Sequence, residues 1–317
     1  MTTTNIPSFL SDAHNLDHTT LSSKFHTIEI EEVERCRRAN DAKNEFSVSV
    51  ALRDDSMKFN RYSDILPFNY NRVKLIKRRP NKTDYINASY IEGPDKITQY
   101  IATQGPTEKT IDDFWLMVWE QNSYVIVMLT KEQEKGYTKC VKYWPEEVKQ
   151  SMLFGDTCLR IELESEELVP NATCVVRTIK IEKLENSQVI ELRKITQLHF
   201  VGWPDHGVPD SPDTILNLVN KTNEIQRQYI VDIVNSQVPP GKVGPIIVHC
   251  SAGCGRTGTF CTVDTALAML PNFKDDNTDL ISSLVGHFRT QRRTMVQTLT
   301  QFQYCYLAVL SKLVTNR

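Results

Sequence analysis

The sequence lacks the features typical of membrane proteins and nucleic-acid-binding proteins. No apolar run in its 317 residues approaches the roughly 20 residues that a bilayer-spanning helix needs. The first ten residues contain neither a basic region nor an apolar core, so no secretory signal is predicted. Basic and acidic side chains nearly cancel to a formal net charge of -2, whereas nucleic-acid-binding domains are usually basic. We therefore expect neither a membrane nor a nucleic acid as a partner.

Closely paired cysteines are also missing. None of the eight cysteines forms a Cys-x-x-Cys pair, which argues against a zinc site and against a disulfide framework. We accordingly expect no metal and no cofactor. A reactive thiolate, such as the one inferred below, needs a reducing compartment, so we predict a cytoplasmic or nuclear protein. We also predict a monomer.

The chain contains no internal repeat and no low-complexity linker. Residues 1–20 are rich in Thr, Ser, Asn and Asp and are predicted to form a flexible tail. Residues 21–317 are predicted to form a single domain. Apolar side chains at partly helical spacing predict that residues 21–38 are a helix on the outside of this domain.

Hydrophobic patterns indicate both strands and helices. The apolar run 124–130 is typical of a sheet centre that is covered on both faces. Alternation predicts amphipathic antiparallel strands in 158–164, 174–181 and 189–200. Helices are predicted at 110–119, from 211 to about 233, and around 280–288 and 302–313. The fold class is therefore α/β, or α+β by some schemes.

Residues 245–260 carry the strongest chemical signal, with the sequence PIIVHCSAGCGRTGTF. An apolar strand enters a tight loop that contains Cys250 and glycines, and a helix follows. Backbone N–H groups and the helix dipole favour an anion at such a place, so they would also stabilise a Cys250 thiolate. Arg256 can donate two parallel hydrogen bonds to phosphate oxygens. The loop predicts a nucleophile in a phosphate site; the alternative is a buried structural cysteine.

A second loop supplies a candidate proton donor. Residues 202–209 (GWPDHGVP) contain two prolines and two glycines, which mark a defined loop that can move. If the Cys250 thiolate attacks phosphorus, the leaving oxide needs a proton, and Asp205 is the acid of this loop. Water must then attack the cysteinyl-phosphate, with Asp205 as base and Gln297 or Gln301 orienting the water.

Neighbouring residues suggest assisting or structural roles. Thr257 can donate its hydroxyl to the sulfur as the sulfur leaves phosphorus, and Arg256 with backbone N–H groups can supply a positive field without a metal. His249 could act as a base, but a structural role is preferred at the end of a buried strand, with an indirect effect on the thiolate pKa. His206 could take part in the mechanism, but an exposed position is preferred.

Together these stretches resemble the classical, cysteine-based protein tyrosine phosphatases from about residue 60 to about residue 313. The motifs that carry the resemblance are NRY at 60–62, DYINAS at 84–89, TQGP at 103–106, KC at 139–140, YWP at 143–145, WPD at 203–205, HCSAGCGRTG at 249–258 and QTxxQ at 297–301. The chain looks most like non-receptor members, and among them the small fungal ones. The resemblance implies a central twisted mixed β-sheet flanked by α-helices.

The resemblance implies a role for each matched residue. The predicted catalytic residues are Cys250 as nucleophile, Asp205 as acid and base, Arg256 on phosphate, Gln297 on water and Thr257 beside the sulfur. The predicted phosphate-binding residues are Ser251, Ala252, Gly253, Cys254, Gly255 and Arg256, and Gln301 supports Gln297. The predicted supporting residues are His249, Glu134, which pairs with Arg256, and Lys139, which meets the acid loop.

A deep substrate pocket is also implied. Tyr62 stacks on the aromatic ring of the substrate with Ile65 beside it, and Asp64 holds the substrate backbone. Such a pocket admits phosphotyrosine to Cys250, whereas phosphoserine is too short to reach it.

Three positions depart from the pattern of some relatives. Ser63 stands where some relatives carry a basic residue, which puts a preference for acidic peptides in doubt. Thr294 stands where some carry glycine, so a second phosphotyrosine pocket is not expected. Cys254 is either a small apolar filler or a partner that traps oxidised Cys250 as a disulfide.

The sequence therefore predicts a protein-tyrosine phosphatase that acts on phosphotyrosine-containing proteins, with a mitogen-activated protein kinase or a cyclin-dependent kinase as the expected kind of substrate. One alternative is a catalytically inactive phosphotyrosine-binding module, against which the intact Cys250, Asp205, Arg256 and Gln297 argue. Another is a sulfur carrier with a Cys-x5-Arg loop, in which neither the acid loop nor the Tyr62 loop has a purpose.

Overall fold

The computed structural model describes residues 7–10, 18–37, 39–76, 83–170, 173–236, 242–273 and 278–315. The strands in chain order are β1 (Arg72–Lys74), β2 (Tyr85–Glu92), β3 (Gln99–Thr103), β4 (Val125–Met128), β5 (Gln133–Glu134), β6 (Tyr137–Thr138), β7 (Ser151–Phe154), β8 (Leu159–Val169), β9 (Cys174–Glu185), β10 (Gln188–Phe200) and β11 (Ile246–His249). In these residues a nine-stranded sheet has the order β1-β2-β3-β11-β4-β10-β9-β8-β7, and β5 pairs with β6.

The sheet is mixed, as the family resemblance implied. Strand β11 lies between β3 and β4 and runs parallel to both, and β4 runs parallel to β10. The register places His249 beside Thr103 of β3 and Met128 of β4. Because the carboxyl ends of parallel strands meet at one edge of a sheet, the loops that follow these strands lie together. The candidate site forms at this edge.

The predicted antiparallel strands form the other half of the sheet. Strand β9 pairs antiparallel with both β10 and β8, and β8 pairs antiparallel with β7. Side chains of β8 alternate between buried and half-buried from Leu159 to Leu163. The alternation of apolar and polar residues in the sequence therefore predicted this part of the sheet correctly.

Helices cover both faces of the sheet. They are α1 (His18–Cys36), α2 (Asp54–Met57), α3 (Ile111–Glu120), α4 (Pro212–Ser236), α5 (Gly255–Met269), α6 (Leu280–Gln291) and α7 (Leu299–Thr315). Val127 and Val248 belong to the apolar cluster on one face, and Ile126 and Ile247 belong to the cluster on the other. This is the two-sided burial that the run 124–130 predicted. No helix in the described ranges is long and apolar enough to cross a membrane.

The predicted N-terminal tail is too long. Helix α1 begins at His18 rather than Leu21, and residues 8–10 are also helical. Phe9 and Leu10 are buried in the core, where Phe9 meets the ring of Phe273 at 5.9 Å between centroids. Their isolated position in a polar stretch hid this contact from sequence analysis. Arg38, the predicted last residue of the helix, lies outside the described residues.

Candidate active site

Cys250 lies at the carboxyl end of β11, in the loop that leads into α5. The loop makes a tight turn at Gly253, whose φ of +74° lies in the left-handed region that glycine adopts without strain. A Cβ atom at Gly253 would overlap the backbone carbonyl of Thr103, so the loop packs directly against the end of β3. Helix α5 begins at Gly255, and the loop therefore lies at a helix N-terminus, as predicted.

The surroundings of the Cys250 sulfur favour its ionised form. The N–H of Gly253 donates to Sγ at 3.3 Å. Burial alone would raise the pKa of this thiol, but the hydroxyl and N–H of Thr257, the charge of Arg256 and the N–H of Cys254 together lower that pKa below its usual value. Cys250 is 5% exposed, so its sulfur is buried. These are the properties of a nucleophile in an anion site.

The hydroxyl of Thr257 is available to this sulfur. Thr257 is fully buried, and within the described part of the chain its Oγ1 has no hydrogen-bond partner of good geometry. It is also the group that most lowers the pKa of Cys250. A buried hydroxyl without another partner is free to donate to the thiolate.

Arg256 is held in place by Glu134, as predicted. Its Nη1 donates to Oε1 at 2.5 Å and its Nη2 to Oε2 at 2.9 Å, which is a parallel two-bond pairing. Burial alone would raise the pKa of the Glu134 carboxyl, but its hydrogen bonds and charge interaction with Arg256 lower that pKa below its usual value. Glu134 belongs to the hairpin β5–β6, so this hairpin orients the arginine of the Cys250 loop.

The loop with Asp205 contacts the same arginine. Nη2 of Arg256 donates to the Pro204 carbonyl at 3.3 Å, and the guanidinium carbon lies 5.8 Å from the centroid of the Trp203 ring. The Trp203 ring is buried and donates through Nε1 to the Gly207 carbonyl at 3.1 Å, which closes the loop on itself. Asp205 is exposed at the tip, where its carboxyl can meet an incoming substrate.

A second lysine, Lys135, contacts the acid loop at Nε2 of His206. Nζ of Lys139 lies 6.0 Å from the centroid of the Tyr137 ring, and its contact with the acid loop stays a prediction. Lys135 and Gly136 both have positive φ and form the turn of the hairpin β5–β6. This turn aims Lys135 at the acid loop, and the sequence did not reveal the turn geometry.

His249 has the structural role that the sequence favoured. Its ring is fully buried, and burial is the main cause that lowers its pKa to about 4. Gln197 Nε2 donates to the Tyr143 hydroxyl at 2.6 Å, which lies 2.8 Å from His249 Nε2. The hydroxyl therefore donates to Nε2, and Nδ1–H donates to the Cys250 carbonyl at 3.1 Å. A neutral ring thus fixes the backbone of the nucleophile.

Tyr62 stands over the entrance to the Cys250 loop. Its hydroxyl and the Ser251 hydroxyl are 2.8 Å apart, and Ser251 Oγ donates to the Lys139 carbonyl at 3.0 Å. Ile65 is buried, and its carbonyl accepts a hydrogen bond from Asn87 at 2.8 Å. Asp64 is exposed. Tyr62 and the loop are thus brought together, and the Asp64 carboxylate is open to a ligand.

The two glutamines lie against the start of α5. A Cβ atom at Gly255 would lie 3.0 Å from Gln301 Oε1 and 3.1 Å from Gln297 Cβ. Gln301 is 8% exposed, and its Oε1 accepts from the N–H of Gln297 at 2.9 Å. The Gln297 side chain is exposed. Gln301 therefore supports the backbone of Gln297, and the Gln297 amide is free to bind water above the loop.

Arg292 is a supporting residue that sequence reasoning missed. It is fully buried, and it donates through Nε to the Gly253 carbonyl at 2.7 Å and through Nη2 to the Ala252 carbonyl at 2.9 Å. Holding these carbonyls turns the loop N–H groups towards the sulfur. The sequence shows only a basic residue in a segment of polar and apolar residues. Such a pattern does not distinguish a buried arginine from an exposed one.

Cys254 is buried beside the nucleophile. Burial, and then the charge of Cys250, raises the pKa of its thiol to about 12. Its carbonyl accepts from the N–H of Gly258 at 2.7 Å and from that of Val296 at 3.3 Å. Both cysteines are free thiols. A protonated thiol is a weak nucleophile, so these surroundings favour the filler role of Cys254.

Cys250, Arg256 and the loop that carries Asp205 thus lie together at the carboxyl edge of the parallel strands. The chain belongs to the protein-tyrosine phosphatase family, because the profile of the family Protein-tyrosine phosphatase matches residues 56–311. Receptor-type tyrosine-protein phosphatase eta of Mus musculus is 42% identical over 251 residues, which cover 79% of this chain and 18% of that protein.

Two non-receptor relatives are similar over a longer stretch. Tyrosine-protein phosphatase non-receptor type 12 of Homo sapiens is 38% identical over 83% of this chain and 31% of its own length. Non-receptor type 9 of Mus musculus is 37% identical over 88% of this chain and 45% of its own length. The chain thus spans less than half the length of each of these relatives. They are vertebrate proteins and do not support the expected likeness to small fungal members.

Proposed function

We propose that this chain hydrolyses phosphotyrosine in proteins through a cysteinyl-phosphate intermediate on Cys250. The observation that carries the proposal is the state of the sulfur. It is buried at a helix N-terminus, accepts the Gly253 N–H and has a lowered pKa. An anion site that stabilises a thiolate also stabilises the charge that develops on a transferring phosphoryl group.

In the first step the Cys250 thiolate attacks phosphorus and the tyrosyl oxygen leaves. Arg256 holds two phosphate oxygens, and Glu134 keeps its guanidinium oriented for them. Phenoxide is a poor leaving group because the pKa of a phenol is about 10, so protonation by Asp205 assists the departure. The exposed position of Asp205 beside the Arg256 contact with Pro204 supports this role.

In the second step water attacks the cysteinyl-phosphate. Gln297 orients the water, Asp205 takes its proton, and the P–S bond breaks. The sulfur leaves as a thiolate, which Thr257 and the loop N–H groups stabilise. The position of Gln297 against Gly255 supports its role in this step.

Tyr62 selects the substrate by depth. Its ring stands at the entrance and its hydroxyl is tied to Ser251 of the loop, while Cys250 lies below at 5% exposure. A phosphotyrosine ring can stack on Tyr62 and still place its phosphate at Cys250. A phosphoserine side chain is shorter, so its phosphate cannot reach Cys250 from the level of the Tyr62 ring. Asp64 and Ile65 then contact the backbone and the ring of the substrate.

Acid quenching of the enzyme during turnover tests the intermediate. We expect Gln297→Ala to accumulate phosphate on the peptide that contains Cys250, because the second step is slowed and the first is not. The exposed neighbour Thr300→Ala is the control and should behave like the wild type. Phosphate found on another residue, or on none during active turnover, would rule out the proposed intermediate.

A phosphotyrosine-binding module without catalysis is the second candidate. The exposed carboxyl of Asp205 and the lowered pKa of Cys250 both favour the enzyme, since a binding module needs neither. The expected targets stay predictions: a mitogen-activated protein kinase or a cyclin-dependent kinase. Asp205→Ala should keep binding while slowing turnover, so the proteins it captures would identify the substrates. A single catalytic domain, a monomeric state and a cytoplasmic or nuclear location also stay predictions.

A further inference from the structure

A buried carboxylate on the N-terminal helix contacts the segment that carries Gln297. Helix α1 packs through Leu21, Phe25 and Ile28, and Glu32 continues the same buried stripe at 7% exposure. A carboxylate in such a position is unfavourable unless it is paired. Glu32 Oε2 accepts from Arg289 Nη1 at 3.0 Å, and Oε1 accepts from the backbone N–H of Thr294 at 2.6 Å.

Arg289 extends this contact towards Gln297. It is 1% exposed, and it donates through Nε to the Met295 carbonyl at 3.0 Å and through Nη2 to the Val296 carbonyl at 2.7 Å. Glu32 and Arg289 together therefore bind the backbone of the three residues that precede Gln297.

This short segment has an unfavourable backbone conformation. Thr294 and Val296 have φ values of +56° and +59°, a region that branched residues rarely adopt. Such a conformation persists only where the surroundings enforce it. The N–H of Val296 donates to the Cys254 carbonyl at 3.3 Å, and a Cβ at Gly258 would overlap the backbone at 295–296. The segment thus rests directly on the Cys250 loop.

We propose that Glu32 is a positioning residue for the water-attack step, acting through Arg289 and Thr294 to set the place of Gln297. The inference rests on the proposed function, because it concerns the hydrolysis of the cysteinyl-phosphate. Glu32 lies outside residues 56–311, the part of the chain that matches the family profile. Helix α1 is therefore part of the catalytic unit of this chain.

The test separates attack by water from attack by an alcohol. Either nucleophile forms a P–O bond as the P–S bond breaks, gives its proton to Asp205 and releases the Cys250 thiolate. An oriented water competes well against glycerol, whereas a misplaced Gln297 removes this advantage. The full chain is given an aryl phosphate with and without glycerol, and the phenol burst, the steady-state rate, inorganic phosphate and glyceryl phosphate are measured.

We expect Glu32→Gln and Glu32→Ala to keep a phenol burst of about one equivalent, because the first step is intact. Their steady-state rates should fall roughly tenfold, since small misplacements of catalytic groups are costly. Their ratio of glyceryl phosphate to inorganic phosphate should rise severalfold. Glu31→Gln, on the exposed side of the same helix, is the control and should match the wild type.

A rescue distinguishes positioning from general packing. Glycine adopts positive φ without strain. Adding Thr294→Gly to the Glu32→Gln variant should therefore bring its ratio of glyceryl phosphate to inorganic phosphate part of the way back to the wild-type value. An unchanged ratio in both Glu32 variants would overturn the proposal. A Glu32→Gln protein that does not fold would also overturn it, because Glu32 would then serve the fold as a whole. If the wild type releases no phenol, the proposed function fails instead.

Discussion

Arg256 and Glu134 are joined by two parallel hydrogen bonds, of 2.5 Å and 2.9 Å, across a gap of more than a hundred residues in sequence. The pair connects the Cys250 loop to the hairpin β5–β6. Thr130 adds a third hydrogen bond to the Glu134 carboxylate, at 3.0 Å. The guanidinium is thus oriented before a phosphate arrives, which reduces the ordering that binding must impose.

Replacing Glu134 tests this orientation. We expect Glu134→Gln to lower kcat/KM for an aryl phosphate by about tenfold or more, because the arginine loses its charged partner and its fixed geometry. Gln133→Ala, on the exposed face of the same strand, is the matched control. Equal kcat/KM values for both variants and the wild type would show that Arg256 needs no orientation by Glu134.

We expect the Thr257 hydroxyl to promote the ionisation of Cys250. The Thr257→Ala variant loses the hydroxyl that most lowers the pKa of Cys250, so the pH midpoint for alkylation of Cys250 should move upwards. At pH 6 a smaller fraction of the sulfur is then ionised and alkylation is slower. Mass spectrometry of the Cys250 peptide after iodoacetamide treatment measures this rate. Thr257→Ser keeps a hydroxyl and should keep the midpoint; if it shifts as far as Thr257→Ala, the hydroxyl is not the cause.

Asp205 should matter most for poor leaving groups. We expect Asp205→Asn to lower kcat/KM, which reports the first step alone, by about 10²-fold or more for an alkyl-substituted phenyl phosphate, because proton transfer to the leaving oxygen is lost. The loss should be much smaller for a nitrophenyl phosphate, whose oxide leaves without a proton. Asp210→Asn, also exposed in the same stretch, is the control. An equal loss for both substrates would argue against Asp205 as the general acid.

The fold followed from the sequence more fully than the contacts around the site. The apolar run in β4 and the alternation in β8 to β10 predicted their strands because local patterns determine burial. Cys250, Arg256 and Asp205 were found from short motifs whose chemistry is local. Arg292 and Glu32 were not, because their importance depends on partners that are distant in sequence, 39 residues away for Arg292 and 262 residues away for Glu32.

The lysine contact of the hairpin β5–β6 did not follow from sequence spacing. The turn at Lys135 and Gly136, both with positive φ, brings Lys135 to the acid loop, where it contacts His206. Backbone geometry decides which lysine of this segment reaches the loop, and the residue pattern does not specify that geometry.

Buried histidines should make the protein less stable in weak acid. His199 is 5% exposed, and burial, followed by the charge of Arg177, lowers its pKa from 6.5 to about 4. Between these two pH values the unfolded chain binds a proton at His199 and the folded chain does not, so the free energy of unfolding falls as pH falls. His199 alone should account for about 2 kcal/mol between pH 7 and pH 5.

Urea unfolding at pH 7 and pH 5 measures this effect. For His199→Gln the difference in unfolding free energy between the two pH values should be smaller than in the wild type by that amount. His249, with a pKa also near 4, should contribute separately. A His199→Gln protein with the full wild-type pH dependence would show that His199 is protonated in the folded state.

The central claim is that Cys250 is a catalytic nucleophile selective for phosphotyrosine. Its most direct test is phosphate release from a phosphotyrosine peptide and from the matched phosphoserine peptide, by the wild type and by Cys250→Ser, with a chelator present. We predict release by the wild type from the phosphotyrosine peptide alone, and none by Cys250→Ser, which should still bind that peptide. Binding of the phosphotyrosine peptide by the wild type without phosphate release would contradict the claim.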